Sequence, residues 1–597
     1  MRSGCEDEAK IARSSATMSF SCERDVTMAT SRALCLPLLA VAGIAAAADH
    51  TMTSGLGMSP EQKAVVFEQA ELGFTVDPIA KSLAGDAVLT FRAKSPLSRF
   101  ALEFDPRYAI SAFDVDGVAL TAKDYPNTDG RIDFALPKPV ATGGSFKVHI
   151  RYDGKPLVAK RAPWDGGIVW ATAPTGEPWV ATAVEGEGCD LLWPCIDHPM
   201  GKPLRVIQHI TVPAGLTAAS NGRLLGVDKN DKTWTWNWSA RQPDTYAVAL
   251  NIGPYELLHS DYRSRYGNTM PMDFYYLRGN RAKAEGLYAE LPKMLDFFEE
   301  VVGPYPWGDD KVGVVETPHL GMEHQTINAY GNDYKKDING YDWLMQHEFA
   351  HEWFGNQMTN ADFDDFWLHE GFAMYMQPLY LEWLRGHMYY DAEMLRQRGL
   401  IAGKHPIVAG HSRPNGTTES EAIEPGTDVY YKGAWILHTL RHQIGDRAFR
   451  ETMRLLVYGR PDPKPGNFKP RYATSRDYID AVNRVTGKDW NWFFDVYLRS
   501  AVMPRLDVQR NGAQLKLHWI TDGDRPFPLP VEVRVGDRKL RVAMTGGRGE
   551  VAVAAGQSYT VDPDNMVLRD APEIATWKAD AAARAKVAAD KAKQGKQ

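Results

Sequence analysis

The chain has 597 residues, 44% of them hydrophobic and 24% charged, with a formal net charge of −7. That length exceeds one ordinary domain and predicts three or four, each with ample apolar material for a core. Basic and acidic residues are interspersed, so no basic face argues for nucleic acid, and past residue 48 no apolar run is long enough to span a bilayer.

Arg32 precedes a Leu/Ala-rich run from Ala33 to Ala48, which ends Ala46-Ala47-Ala48-Asp49. A basic residue, an apolar stretch and small residues at the end form a signal peptide with its cleavage site. The natural start is then Met28, and residues 1–48 make up a leader. This predicts an exported soluble protein, periplasmic or secreted, without stable membrane insertion once the leader is removed. Three of the five cysteines fall in the leader; Cys189 and Cys195 remain. A disulfide and a pair of free thiols are both open to them. Free, buried thiols are the expected state, and no partners make them a cysteine zinc site.

From Glu61 to Tyr255 the apolar pattern has period two, as in Val88 to Phe91, Lys147 to Tyr152 and Tyr246 to Ile252. Trp234, Trp236 and Trp238 alternate with polar residues in the same way, and Gly, Pro, Asn and Asp separate the runs. An antiparallel β domain over 49–258 is expected. Beyond Tyr262 the period lengthens. Ala282 to Val302 reads as one amphipathic helix, Lys311 to Glu316 as a short strand, and Gly433 to Ile444 as a later helix. A mixed α+β domain is expected over 259–502. Its closing aromatic run, Trp490 to Phe494, reads as packing.

The decisive segment is His347-Glu348-Phe349-Ala350-His351, followed after eighteen residues by Glu370. Residues i and i+4 share a helix face, so both imidazoles can reach one ion. Glu370 supplies a third ligand from the apolar run Phe366 to Ala373, where a lone carboxylate is costly unless paired. Three protein ligands with one open position mark a catalytic Zn²⁺, one per chain. Glu348 suits the general base for its water. Asp362, Asp364 and Asp365 lie between the ligands, as a solvated loop or as acids that orient a histidine.

Strands return at Arg505. Leu506 to Arg510, Asn511-Gly512 and Gln514 to Trp519 spell a hairpin, and a β-sandwich is expected over 503–571. The Ala/Lys-rich tail, 572–597, reads as solvated helix or disorder.

With these residues in place the chain resembles the aminopeptidase N family (peptidase family M1) from Val65 to Asp570. Four motifs carry the resemblance. His347 to Thr359 extends the zinc signature through Trp353-Phe354-Gly355-Asn356. Gly321-Met322-Glu323-His324 matches the family's G-x-M-E-N except at His324. Tyr430-Tyr431-Lys432-Gly433 matches Y-x-K-G, and Trp193 to Pro199 is similar to F-P-C-x-D-x-P. The resemblance implies a thermolysin-like α+β catalytic domain between the two β domains, without a long helical C-terminal domain. It implies that Glu323, on the Gly321-Met322 segment, grips the substrate's α-amino group with help from Glu185. It implies that Tyr430 donates to the oxyanion, and that Val312 to Glu316 pairs with the substrate backbone. The expected partners are peptides with a free N-terminus, in a site open to longer ones; oligomeric state is left open. The alternatives are an epoxide hydrolase similar to leukotriene hydrolase, whose added acid before the tyrosine finds no clear match in Glu421 to Asp428, and a non-catalytic binding module on a peptidase fold.

Overall fold

The period-two segments assemble into an eight-stranded sheet in a computed structural model that describes residues 50–415, 426–466, 468–574, 576 and 583. The leader and the tail from Trp577 onward, apart from Ala583, lie outside the described residues. Strand Val65–Asp77 sits inside this sheet, antiparallel to Ser82–Ala93 and parallel to Arg205–Pro213. Alternation puts Phe67, Phe91 and Phe146 on one buried face with Phe100 of strand Leu97–Glu103, and the Phe67 and Phe91 rings lie 4.4 Å apart. Of the three tryptophans in Thr233–Arg241, only Trp238 is fully buried. Trp236 is half-covered, and Trp234 lies under Lys229 at 4.0 Å. A long charged stem thus shields an aromatic ring at the sheet's rim.

The strand expected over Tyr246 to Ile252 shrinks to Asn251–Gly253. Two side chains take its backbone donors: Ala249 donates to Asn221 (2.9 Å) and Leu250 to Thr182 (3.0 Å). Tyr246 is left on a turn, free to point elsewhere.

The second sheet has five strands in the order Tyr255–Arg263, Thr269–Leu277, Val312–Glu316, Asn328–Tyr330 and Gly321–Met322. Its first strand crosses the boundary expected at 258/259, because all of Tyr255–Arg263 pairs with Thr269–Leu277. Val312–Glu316 is an inner strand, parallel to both neighbours. Its backbone is already paired, so it cannot take a substrate strand. The edge beyond Asn328–Tyr330 is Gly321–Met322, opposite the other edge at Tyr255–Arg263.

The helix expected over Ala282 to Val302 is two helices, α1 (Arg281–Tyr288) and α2 (Leu291–Val301). Pro292 sits in the first turn of α2, where its missing N–H costs nothing, and it would break a continuous helix. Then follow α3 (Trp343–Ala350), α4 (Trp367–Arg385), α5 (His387–Arg398) and α6 (Asp428–Ile444). Helix α6 starts five residues before the expected Gly433, which places Tyr430 in its first turn. Helix α4 is apolar nearly all round and buried from Trp367 to Leu381. Such a helix is stable only inside a core; each large side chain it buries contributes roughly 1.5–3 kcal/mol.

The predicted hairpin forms: Arg505–Asn511 pairs with Gln514–Ile520, turning at Gly512 with φ 60°. Its sheet and a second three-stranded sheet, Arg538–Val542, Val531–Val535 and Tyr559–Val561, complete a small β region. Leu515, Leu517, Val531 and Val533 join the same apolar core as α2 to α6.

Candidate active site

Helix α3 is set by its cap. Asp342 accepts from the Met345 N–H at 3.0 Å, satisfying a donor that the first turn leaves open. The helix then carries His347 and Glu348 inward and ends with His351 still in helical geometry. Glu370 arrives on the first turn of α4, where the helix N-terminus favours a negative charge.

Three atoms converge. His347 Nε2 and His351 Nε2 are 3.2 Å apart, and Glu370 Oε2 lies 3.4 and 3.6 Å from them. Tetrahedral ligands about 2.0–2.1 Å from one zinc would stand about 3.3 Å apart. His351 Nδ1 lies 3.0 Å from the Phe354 carbonyl; donating there leaves the Nε2 lone pair for a metal. Glu370 Oε2 is buried without a hydrogen-bond partner among the described residues. Burial also keeps both imidazoles neutral, with His347 pushed down to about 4 and His351 lowered too. Neutral rings and an unpaired carboxylate oxygen are the donor set of a Zn²⁺ site, so the residues fit the group.

Three glycines bring the remaining parts together. Gly371 of α4 and Gly433 of α6 touch: a Cβ on Gly433 would lie 3.0 Å from Gly371 Cα. That approach lays Tyr430 against Glu370, to which it hydrogen-bonds. On the other side, a Cβ on Gly321 would lie 2.3 Å from Glu348 Oε1. The bare edge strand is what lets the Glu348 carboxylate sit there.

Glu323 follows the edge strand and is buried. Its Oε1 accepts from the Tyr246 hydroxyl at 2.5 Å, and its backbone carbonyl accepts from Asn356 Nδ2 at 3.0 Å. Asn356 also donates to Glu352, which takes the Thr326 N–H and the Asn328 amide as well. The Trp353 to Asn356 stretch therefore ties the Glu323 segment to α3. Glu185 reaches the same space from the N-terminal β region, where its carboxylate groups with His369 and Glu370. Gly321, Glu323, Glu348, Tyr430 and Glu185, all expected from the sequence, thus lie about the His347–His351–Glu370 triad, and Met322 is buried on the edge strand beside Gly321.

Negative charge is in excess here. Burial raises the Glu348 carboxyl well above its usual range, reinforced by Glu323 and Glu370. Glu185 is raised by burial and by Glu323, Glu370 and Glu348. Burial pushes Glu370 up to about 7, against the pull of His351. These acids require cations to ionise together.

Several expectations are corrected. Cys189 and Cys195 form a disulfide instead of free thiols, their Cα atoms 6.3 Å apart, a spacing that a disulfide bridges. Asp362, Asp364 and Asp365 neither orient a zinc histidine nor form a solvated loop. Asp364 accepts from Ala409 and Gly410 N–H and Asp365 from Ser475, while Asp362 takes the Arg413 N–H, so the three hold neighbouring segments in place. His324 is fully buried, and its ring nitrogens have no hydrogen-bond partner among the described residues. Most of Glu421 to Asp428, which bears on the epoxide-hydrolase alternative, lies outside them. Sequence reasoning missed Tyr246, His369 and the buried Lys202–Asp244 pair (2.8 Å); a lysine in an apolar stretch was the one available signal. A cavity of about 690 Å³, lined by Arg460, Lys464, Arg471 and Tyr472 among others, contains none of the triad.

Residues 289–497 match the family model described as the peptidase family M1 domain. Human aminopeptidase B is 26% identical over 67% of this chain, and leucine aminopeptidase 2 of Pyricularia oryzae 23% over 69%. The chain spans 62% of the length of the former and 69% of the latter. Among solved structures, a mutant M1 zinc metallopeptidase from Deinococcus radiodurans bound to a Tyr-Ser-Ala substrate superposes with a TM-score of 0.63 at 25% identity. That match covers 76% of this chain and 98% of that one.

Proposed function

Because this chain belongs to peptidase family M1, we propose that it is a zinc aminopeptidase that removes single N-terminal residues from short peptides. One observation carries the reading: Glu323 and Glu185 stand beside the His347–His351–Glu370 triad, where they can hold a free α-ammonium at a set distance from the metal.

His347, His351 and Glu370 would hold a Zn²⁺, which would supply Lewis acidity and a water acidic enough to attack near neutral pH. The chain's own residues do the rest. Glu323 binds the ammonium, with one of its oxygens already fixed by Tyr246. Gly321–Met322, an unpaired sheet edge, accepts the extended substrate backbone. Glu348, buried and raised, takes the proton of the attacking water and passes it to the leaving nitrogen. Tyr430 exchanges its bond to Glu370 for one to the carbonyl oxygen as charge develops, an effect worth about 3 kcal/mol for one donor. Anchoring the amine leaves only the first peptide bond in reach, so cleavage proceeds one residue at a time.

Mass spectrometry of a ten-residue peptide incubated with the protein tests this. A ladder of single-residue losses from the N-terminus is expected. Internal cleavage would refute the amine anchor.

Export is part of the proposal. The Arg32 to Ala48 segment supports it, and so does the disulfide, since such bonds persist in oxidising compartments. Among the described residues no helix is long and apolar enough to cross a membrane.

A further inference from the structure

The donors around Glu370 outnumber what one dication uses. Glu185, His369 and Glu370 each bring one ligand atom within 4.8 Å of the other two. This second triad shares Glu370 with the first. His369 is 2% exposed, and neither of its ring nitrogens has a hydrogen-bond partner among the described residues. The same holds for Glu185 Oε1. Buried polar groups are ordinarily paired, and leaving them unmet is costly. The His369 ring packs against Gly355, where a Cβ would lie 2.1 Å from Nε2, and the Glu323 carboxylate lies 3.8 Å from that nitrogen. Glu185, Tyr246 and His369 line a small cavity of about 10 Å³, close to what one water-sized particle needs.

Charge points the same way. Glu185, Glu323, Glu348 and Glu370 lie close together, and a dication in the first triad offsets only half of their formal charge. Lys202, the lysine that faces His369, is neutralised by Asp244 at 2.8 Å.

We propose that Glu185, His369 and Glu370 form a second, weaker site for a divalent cation, joined to the first through the Glu370 carboxylate. An imidazole with two carboxylates suits Zn²⁺ among biological dications. An ion there occupies Glu185, one of the two acids assigned to the substrate's ammonium, so excess metal competes with substrate. Only this competition rests on the aminopeptidase reading; the binding does not.

The test is calorimetric titration of the metal-free, full-length protein with Zn²⁺ alone. Two ions are expected, the second weaker. His369→Asn should weaken the second by more than about tenfold and leave the first in place. Glu185→Gln, which keeps the histidine, should do the same and guards against a misfolded histidine variant. One ion in the wild type, or an unchanged second ion in both variants, overturns the proposal. Turnover is read separately: excess Zn²⁺ should raise the KM of an aminoacyl anilide in the wild type and not in His369→Asn. Equal inhibition of both proteins overturns the competition. Absence of any turnover would count against the peptidase assignment while the binding stoichiometry still decides the site.

Discussion

Gly321→Ala probes the general base without touching it. The added Cβ would lie 2.3 Å from Glu348 Oε1, 2.7 Å from Leu344 Cδ1 and 3.0 Å from Glu348 Cδ. Ordinary non-bonded contacts are about 3.5 Å, so the carboxylate must retreat by about 1 Å. Gly321 is not in the left-handed region, so alanine fits its backbone. The atoms that must move end flexible side chains, so the fold should survive with a loss of about 1 kcal/mol, at the low end for overpacking. A misplacement of about 1 Å at a reacting group costs about 100-fold in rate. The expected outcome is therefore a fall in kcat of that order, with the zinc content intact and a KM that changes little because Glu323 keeps its Tyr246 contact. Steady-state kinetics on leucyl anilide, with metal analysis of the same preparation, reads all three. A kcat within about threefold of wild type is the contrary result. It would mean that the position of Glu348 against the edge strand does not set the rate.

Gly433→Ala pushes α6 from α4 through backbone atoms that cannot fold away; thermal denaturation should show a loss of about 1–3 kcal/mol, with a lower kcat as Tyr430 shifts. Reducing the Cys189–Cys195 disulfide frees the loop just after Glu185 and removes a cross-link worth about 2 kcal/mol for so short a loop; unfolding with and without reductant, and a raised KM in the reduced protein, check it. Burial, then repulsion from Glu103, pushes Asp197 up to about 8. Folding therefore binds a proton there between about pH 4 and 8, and stability from this group falls as pH rises through that window, by at most about 1.4 kcal/mol per pH unit. Denaturant midpoints at pH 5 and pH 8 should differ less in Asp197→Asn than in the wild type.

The metal triad was legible because its chemistry is local. Two histidines one helical turn apart share a face whatever surrounds them, and Glu370 betrays itself as an acid inside an apolar run. The alternating strands and the Asn511-Gly512 hairpin were legible for the same reason. What escaped depends on contacts between distant segments. Nothing near Val312 says that it lies between two strands, or that the two-residue stretch Gly321–Met322 is a free edge. Pro292 was visible and should have divided the helix over 282–302. The cysteines six apart leave bonded and free states open until the fold sets their Cα spacing. Tyr246 read as a strand residue because its neighbours alternate; Asn221 and Thr182 take the Ala249 and Leu250 N–H groups instead of a strand partner, and Tyr246, left on a turn, donates to Glu323. His369 was absorbed into the apolar run beside Glu370, and its lack of partners is a property of the packed interior alone.

If a free amine, held by Glu323 and Glu185, selects the bond that the zinc site cuts, blocking that amine abolishes cleavage. Hydrolysis of leucyl anilide beside its N-acetylated counterpart, each with and without a zinc chelator, measures this. Chelator-sensitive cleavage of the free-amine substrate is expected, and none of the acetylated one. Equal cleavage of the two would contradict the amine anchor.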